Sequence, residues 1–291
     1  MVVGDAVLEL EKLLYKAVVK ASTSVPAWLT RLLEEHHRCA SGYARIVLET
    51  LLRAAKVSAD KGLPLCQDTG TPLLVVRRAA IPLDKLWKAF RLAIRRATLD
   101  GFLRLNSLNP VDGSVESDNS SLPYIVVAEL ETGEEKDVLL DATILLRGGG
   151  AEYVSLATGG PSTELEERIA ATVVEAATRA GAKPCPPYII SVGVGATLAQ
   201  AIAAAYTGLA YRAPRDRFGW PSLEQSLTEK LEKLLDVGPA GIGGKPTVLQ
   251  VWVNTLPVHP ASAAIAVVFQ CWPLRRVRIL VKTDGEEIAV T

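Results

Sequence analysis

Two long stretches of this chain, Tyr188 to Tyr211 and Pro246 to Leu274, contain no Asp, Glu, Lys or Arg. Side chains of that kind leave water either for a protein core or for a membrane. Length alone admits both stretches as membrane spans, but Gly, Pro, Asn or Gln breaks each of them at short intervals. They therefore read as buried strand and helix. The expected class is α/β (mixed α+β): a helical N-terminal lobe followed by mixed β-sheets with flanking helices. Half the chain is hydrophobic, at 49% of 291 residues, and 32 basic residues offset 32 acidic ones. Zero net charge argues against nucleic acid and against an anionic membrane surface as partner. It also leaves little charge to keep apolar surface dispersed, which favours association with another subunit. Acidic residues stand near the N-terminus where a secretory signal would need a basic one, so the expected location is cytoplasmic.

Apolar residues recur at helical spacing from Asp5 to about Lys20, and two further helices are predicted between Pro26 and Lys61. A strand is predicted over Leu73 to Val76, an amphipathic helix over Leu83 to Leu99, and strands over Tyr124 to Leu130 and Val138 to Leu146. A Thr-Gly-Glu-Glu turn joins the last two. Helices at Thr163 to Ala180 and Ser222 to Leu235 and strands at Ile189 to Val192, Val248 to Asn254 and Ala263 to Phe269 complete the pattern. No repeat or linker divides the chain, so 1–291 reads as a single domain, with a mainly helical lobe over 1–61 and an α/β lobe over 62–291. His36, His37 and Cys39 are expected on a charged, solvated turn, and Lys85, Lys88, Arg91, Arg95 and Arg96 mainly on a solvated helix face.

The densest chemistry lies in Cys66-Gln67-Asp68-Thr69-Gly70-Thr71, a thiol, an amide, a carboxylate and two hydroxyls between a helix and a strand. An ordinary turn with a packed cysteine would read the same. Arg104, flanked by apolar residues in a polar segment, could fork onto a carboxylate or serve an ion pair. Gly148-Gly149-Gly150 leaves backbone amides open for an anion, or makes a flexible turn. The next helix is expected only after Gly159-Gly160-Pro161-Ser162, so no dinucleotide-binding strand-glycine-helix unit is expected. Prolines on both sides fix the backbone of Cys185, which suits a directed thiolate as well as a packed one. Gly238 to Thr247 approaches a phosphate-binding loop, but Pro239 and Pro246 occupy positions that need Gly and Ser or Thr. Four scattered cysteines without a Cys-x-x-Cys pair exclude a disulfide framework and a local zinc motif.

Taken together, Cys66-Gln-Asp-Thr-Gly-Thr, Gly148-Gly-Gly-Ala-Glu152, Cys185-Pro-Pro-Tyr, Gly238-Pro-Ala-Gly-Ile-Gly-Gly and His259-Pro-Ala-Ser leading to Cys271-Trp resemble the alpha subunit of the class I, iron-sulfur fumarate hydratases and L-tartrate dehydratases. The similarity runs from about Pro26 to the C-terminus. It implies a [4Fe-4S] cluster on Cys66, Cys185 and Cys271, with one iron left open as a Lewis acid. It implies reversible hydration of a small dicarboxylate, fumarate to L-malate, with L-tartrate dehydration as the alternative. Asp68 and Thr69 take catalytic roles in this resemblance, and Gln67, Asp68, Arg104, Gly148, Gly149, Gly150 and His259 bind substrate.

The chain departs from the family's usual Lys-Gly-Gly-Gly-Ser-Glu-Asn by reading Arg147-Gly-Gly-Gly-Ala151-Glu152-Tyr153, and from its pattern around Asn106 to Pro110. A different dicarboxylate, or a less active paralogue serving as a non-catalytic partner or anion-binding module, is the corresponding alternative. Single-chain members continue into a second domain. The resemblance therefore implies a separate beta subunit here, with two alpha chains pairing inside a heterotetramer.

Overall fold

The computed structural model describes residues 3–128, 137–213 and 219–289. In chain order the helices are α1 (Val3–Thr23), α2 (Ala27–Cys39), α3 (Gly42–Lys61), α4 (Leu83–Leu99), α5 (Gly149–Tyr153), α6 (Leu165–Ala180), α7 (Leu198–Tyr211) and α8 (Pro221–Leu234). The strands are β1 (Thr71–Ala79), β2 (Tyr124–Val127), β3 (Val138–Arg147), β4 (Leu156–Gly160), β5 (Tyr188–Gly195), β6 (Val248–Thr255), β7 (Ala263–Gln270), β8 (Arg276–Lys282) and β9 (Gly285–Ala289). The mixed α/β class expected from the sequence is the one observed. Among the described residues, no helix is long and apolar enough to cross a membrane.

The chain divides into two compact units that exchange segments: residues 1–26, 55–147 and 275–291 form one, and residues 27–54 and 148–274 the other. Helix α3 contributes residues to both. In the first unit the sheet order is β2-β1-β3-β8-β9, with β1 parallel to β2 and antiparallel to β3. Leu10, Leu14 and Val18 of α1 and Leu86, Phe90 and Ala97 of α4 pack on Leu74, Ile144 and Ile279 of the sheet. The i, i+4 and i, i+7 spacing of those residues is what turns each helix into a one-sided apolar stripe. Each buried Leu or Phe contributes about 1.5–3 kcal/mol relative to exposure.

The second unit holds a four-stranded sheet, β4-β7-β5-β6, in which β7 runs antiparallel to β4 and β5 while β6 runs parallel to β5. One face, through Tyr188, Ile190, Val192 and Val194, meets Ile169 and Val173 of α6 and Leu223 and Leu227 of α8. The opposite face carries α7, which a capping box of Thr197 and Gln200 starts. A Cβ on Gly193 would stand 1.9 Å from the Ala201 carbonyl oxygen and 2.4 Å from the Ala205 nitrogen, so only glycine lets the helix lie this close. Helices on both faces explain why β5 carries no charged residue and why its one serine, Ser191, donates its hydroxyl to the Ala205 carbonyl of α7. Trp28 of α2 meets Trp252 of β6 edge-on, at 6.1 Å between ring centroids.

Several expectations are corrected here. A one-turn helix, α5, follows β3 directly, although the sequence predicts no helix between that strand and residue 163. His36, His37 and Cys39 lie in the last turn of α2, and His36 is half-buried rather than solvated. Burial lowers its pKa below the ordinary histidine range, against the opposing charges of Glu232 and Glu35. The α4 face that carries Lys88, Arg91, Arg95 and Arg96 is exposed as expected, and from it Arg91 and Arg95 donate to the Ser120 carbonyl at 2.7 Å and to Asp118 at 2.8 Å. Strands β4, β8 and β9 are additional to the predicted set. The Thr-Gly-Glu-Glu turn lies outside the described residues.

Candidate functional site

In the first unit, the loop from Leu63 to Gly70 connects α3 to β1 and is anchored at its start. Ser58 Oγ donates to the Leu63 carbonyl at 2.6 Å, with the Thr23 carbonyl 3.0 Å away as its other acceptor in reach, and Leu65 N–H donates to Ser22 O at 2.9 Å. Cys66 is half-buried and Gln67 exposed. Asp68 folds its Oδ1 back onto the Gly70 N–H at 3.0 Å, and its carbonyl accepts from Nη1 of the fully buried Arg275 at 2.7 Å. Thr69 points inward and is 5% exposed. Its hydroxyl accepts from the Arg104 N–H at 2.9 Å and the Asn106 amide at 3.3 Å. The Asp68-Thr69 turn and the Arg104 segment are thus one hydrogen-bonded body, with the Arg104 side chain exposed at its surface.

In the second unit, four loops meet at one end of the sheet. Gly148 caps α5, and its carbonyl accepts from the N–H groups of Ala151 and Glu152, both at 3.1 Å. The triple glycine is therefore the start of a helical turn rather than a flexible connection. A Cβ on Gly150 would lie 2.3 Å from the Lys183 carbonyl oxygen, so glycine is what seats this turn on the loop before Cys185. Lys183 in turn places its Nζ 5.5 Å from the centroid of the Tyr153 ring. The Cys185 carbonyl accepts from the Trp272 N–H at 3.2 Å, and the Pro186 carbonyl from the Ala240 N–H at 2.9 Å. With Ile189 opposite Gln270 in the β5–β7 register, Cys185 and Cys271 share one end of the sheet. Cys185 is exposed and has φ 51, a left-handed conformation that is rare for a residue with a side chain and concentrates at functional positions. Cys271 is buried, and none of the four cysteines is in a disulfide.

The structure does not bring His259 to this end. It precedes β7, near the Gly195 end of β5, while Cys271 follows β7; eight residues at about 3.4 Å each place roughly 25 Å between them. Its Nδ1 accepts from the Ala261 N–H at 3.1 Å. Lys245, which a phosphate-binding loop would use on its ligand, instead donates to the Glu232 and Leu235 carbonyls at the end of α8. Ala151, one of the departures from the family pattern, is fully buried in the core of its unit, and Tyr153, the other, is 77% exposed. Among the described residues, no group of three or more His, Cys, Asp or Glu side chains is gathered as around a metal ion. The pair Cys185 and Cys271 is what the fold of the second unit assembles, with Cys66 on its own anchored loop in the first.

Residues 10–280 match the profile of the family described as fumarate hydratase (Fumerase). The chain belongs to that family. It is 27% identical over 296 residues to a Methanocaldococcus jannaschii protein provisionally named as L(+)-tartrate dehydratase subunit alpha, covering 98% of this chain and 100% of the relative. It is 28% identical over 293 residues to a Geobacillus stearothermophilus protein provisionally named as class I fumarate hydratase, covering 94% of this chain but 55% of the relative. The L(+)-tartrate dehydratase subunit alpha of Escherichia coli K12 is 25% identical over 252 residues, covering 84% of this chain and 81% of the relative. The chain thus spans the whole of one alpha-subunit relative and about half of the fumarate hydratase.

Arg275, Asn106 and Asn119 are absent from the motifs that carry the family resemblance, although each is built into the Asp68–Arg104 body. Their signal in the sequence is faint. An Arg pair after a cysteine and an Asp-Asn-Ser-Ser turn suit many surfaces, and only the contacts give them a task.

Proposed function

We propose that this chain is the alpha subunit of a hydro-lyase that reversibly hydrates a small dicarboxylate, with fumarate and L-malate as the substrate pair. Membership of the fumarate hydratase family over residues 10–280 carries the reading, and the meeting of the Cys185 and Cys271 loops supports it. Cys66, Cys185 and Cys271 are the proposed ligands of a [4Fe-4S] cluster. Three thiols outside disulfides are the donor set such a cluster takes, and a strained, exposed Cys185 beside Cys271 fits it. When bound, the cluster supplies a Lewis-acidic iron to the substrate's hydroxyl and carboxylate.

The chain's own residues then have separable tasks. Arg104, with its backbone fixed by Thr69 and its guanidinium exposed, forks onto a substrate carboxylate. Gln67, exposed next to Cys66, offers an amide to the same ligand, and the Gly148 to Gly150 turn is the proposed backbone contact of a substrate carboxylate. Asp68, held by its hydrogen bond from Gly70, takes the proton-transfer role. Thr69 acts through Arg104, since its buried hydroxyl oxygen already accepts two hydrogen bonds. His259, at the far end of β7 from Cys271, is left outside this set.

L-Tartrate is the second substrate reading, favoured by the names of the M. jannaschii and E. coli relatives. A beta subunit is the expected partner, because those relatives are named as alpha subunits. We expect two alpha chains to pair, each with one beta chain. Co-expression with the matching beta subunit, anaerobic reconstitution and assay with fumarate, L-malate and L-tartrate test the proposal, with light scattering reporting the stoichiometry. Turnover of one of these by the pair is expected; a reconstituted pair that binds dicarboxylates without turnover would instead identify a non-catalytic module.

A further inference from the structure

We infer that Asn119 is the positioning residue that fixes Arg104 against the Asp68-Thr69 turn for carboxylate binding, an inference that rests on the substrate role given to Arg104 above. Asn119 is 2% exposed and has φ 55, a left-handed backbone that asparagine tolerates better than most residues. Its amide uses its full hydrogen-bonding capacity. Oδ1 accepts from the N–H groups of Asn106 (2.8 Å) and Ser107 (3.1 Å), and Nδ2 donates to the Arg104 carbonyl (2.7 Å) and Thr98 Oγ1 (3.1 Å).

The consequence for Arg104 is that both of its peptide groups are held. Its N–H goes to Thr69 on the turn that follows Cys66, and its carbonyl receives the Asn119 amide. Asn119 itself is not adrift on a loop. Arg95 of α4 donates to Asp118, Arg91 donates to the Ser120 carbonyl, and Thr98 of α4 accepts from Asn119. The rigid helix α4 therefore holds the 118–120 turn, that turn holds the Arg104 backbone, and only the Arg104 side chain is left to meet a ligand. A long, flexible side chain on a fixed backbone loses less entropy on binding than one on a mobile loop. Aspartate lacks the donor for the Arg104 carbonyl, and glutamine, longer by one methylene, would carry its amide away from the four partners that Asn119 reaches.

Asn119→Gly is the informative variant, because glycine adopts φ 55 without strain while removing all four side-chain hydrogen bonds. In hydrogen exchange of the purified chain, amides of Arg104, Asn106 and Ser107 should exchange faster in the variant, while those of α4 and β1 stay protected. Unchanged protection at 104–107 would overturn the clamp. In the alpha–beta enzyme, with the better of fumarate and L-tartrate as substrate, Asn119→Gly should raise KM about tenfold or more and leave kcat within about twofold. Arg104→Ala should raise KM as well, and the double variant should be no worse than Arg104→Ala alone. Additive effects would show that Asn119 does not act through Arg104 and would overturn the inference, as would an unchanged KM in a folded Asn119→Gly. A wild-type pair with no turnover at all would instead remove the hydro-lyase reading and the substrate task of Arg104 with it, whereas the exchange experiment would still report whether Asn119 holds the loop.

Discussion

Replacing Gly150 by alanine tests the junction on which the second half of the site depends. The new Cβ would stand 2.3 Å from the Lys183 carbonyl oxygen, whereas carbon and oxygen in ordinary contact are about 3.3 Å apart. Something must therefore move by about 1 Å, and the obstacle is backbone, not the end of a flexible side chain. Overpacking of this kind costs roughly 1–3 kcal/mol. Alanine also gains roughly 0.5–1 kcal/mol over glycine inside regular structure, so the proper control is a second glycine with the same gain and no obstacle. Gly159 in β4 meets that need, as a Cβ there meets nothing within 4 Å. At about 2–4 °C per kcal/mol for a chain of somewhat smaller size, Gly150→Ala should melt at least a few degrees below Gly159→Ala. A second readout is iron retained per chain after anaerobic reconstitution. Metal–ligand distances tolerate only about 0.2 Å, and Cys185 stands two residues beyond Lys183, so Gly150→Ala should retain less iron. Equal melting temperatures and equal iron in the two variants would refute the reasoning.

Other outcomes follow from individual contacts. His36 resists protonation in the fold but not when unfolded, so the unfolded chain binds more protons and stability should fall as pH drops below about 6.5. Denaturant midpoints at pH 7.5 and 5.5 should show that loss shrinking in His36→Gln, and an identical loss in both proteins would contradict it. Glu224→Ala strips a buried partner from Arg212, whose Nη2 lies 3.1 Å from Glu224 Oε2, and should destabilise by roughly 3–5 kcal/mol in thermal melts. A loss under about 1 kcal/mol would mean that Arg212 finds another acceptor. Asp68→Asn in the alpha–beta enzyme should lower kcat by about a hundredfold, and full turnover would end its proton-transfer role.

How much of this was legible depends on whether a residue's task is set by its neighbours in sequence or in space. Strand β5 announces itself, because an uncharged apolar run flanked by Pro and Gly has few other destinations, and Cys185 is marked by its prolines. The spacing of Leu10, Leu14 and Val18 likewise suffices for α1. Gly150 is different: three glycines fit a cradle or a flexible turn equally well, and only the Lys183 carbonyl pressed against Gly150 makes the residue necessary. Asn119 is harder still, since Asp-Asn-Ser-Ser is ordinary turn chemistry and its partners lie at Arg104, Asn106, Ser107 and Thr98. Strand β8 alternates Arg276, Val277, Arg278 and Ile279, a period-two pattern whose arginines suggest a solvated face; Arg276 is in fact buried, and Arg278 pairs with Asp141 at 2.8 Å. The position of His259 shows the converse limit. The motif groups it with Cys271, although the strand predicted over Ala263 to Phe269 already separates the two.

The most direct test is a cysteine series in the reconstituted chain, read by iron content and by the visible absorbance of the cluster rather than by activity. Cys39, exposed in the last turn of α2, is the internal control. With Cys66, Cys185 and Cys271 as ligands, Cys39→Ser should take up as much iron as the wild type, and each of the other three serine variants should lose most of it. Full iron in Cys185→Ser or Cys271→Ser, or loss in Cys39→Ser, would contradict the assignment.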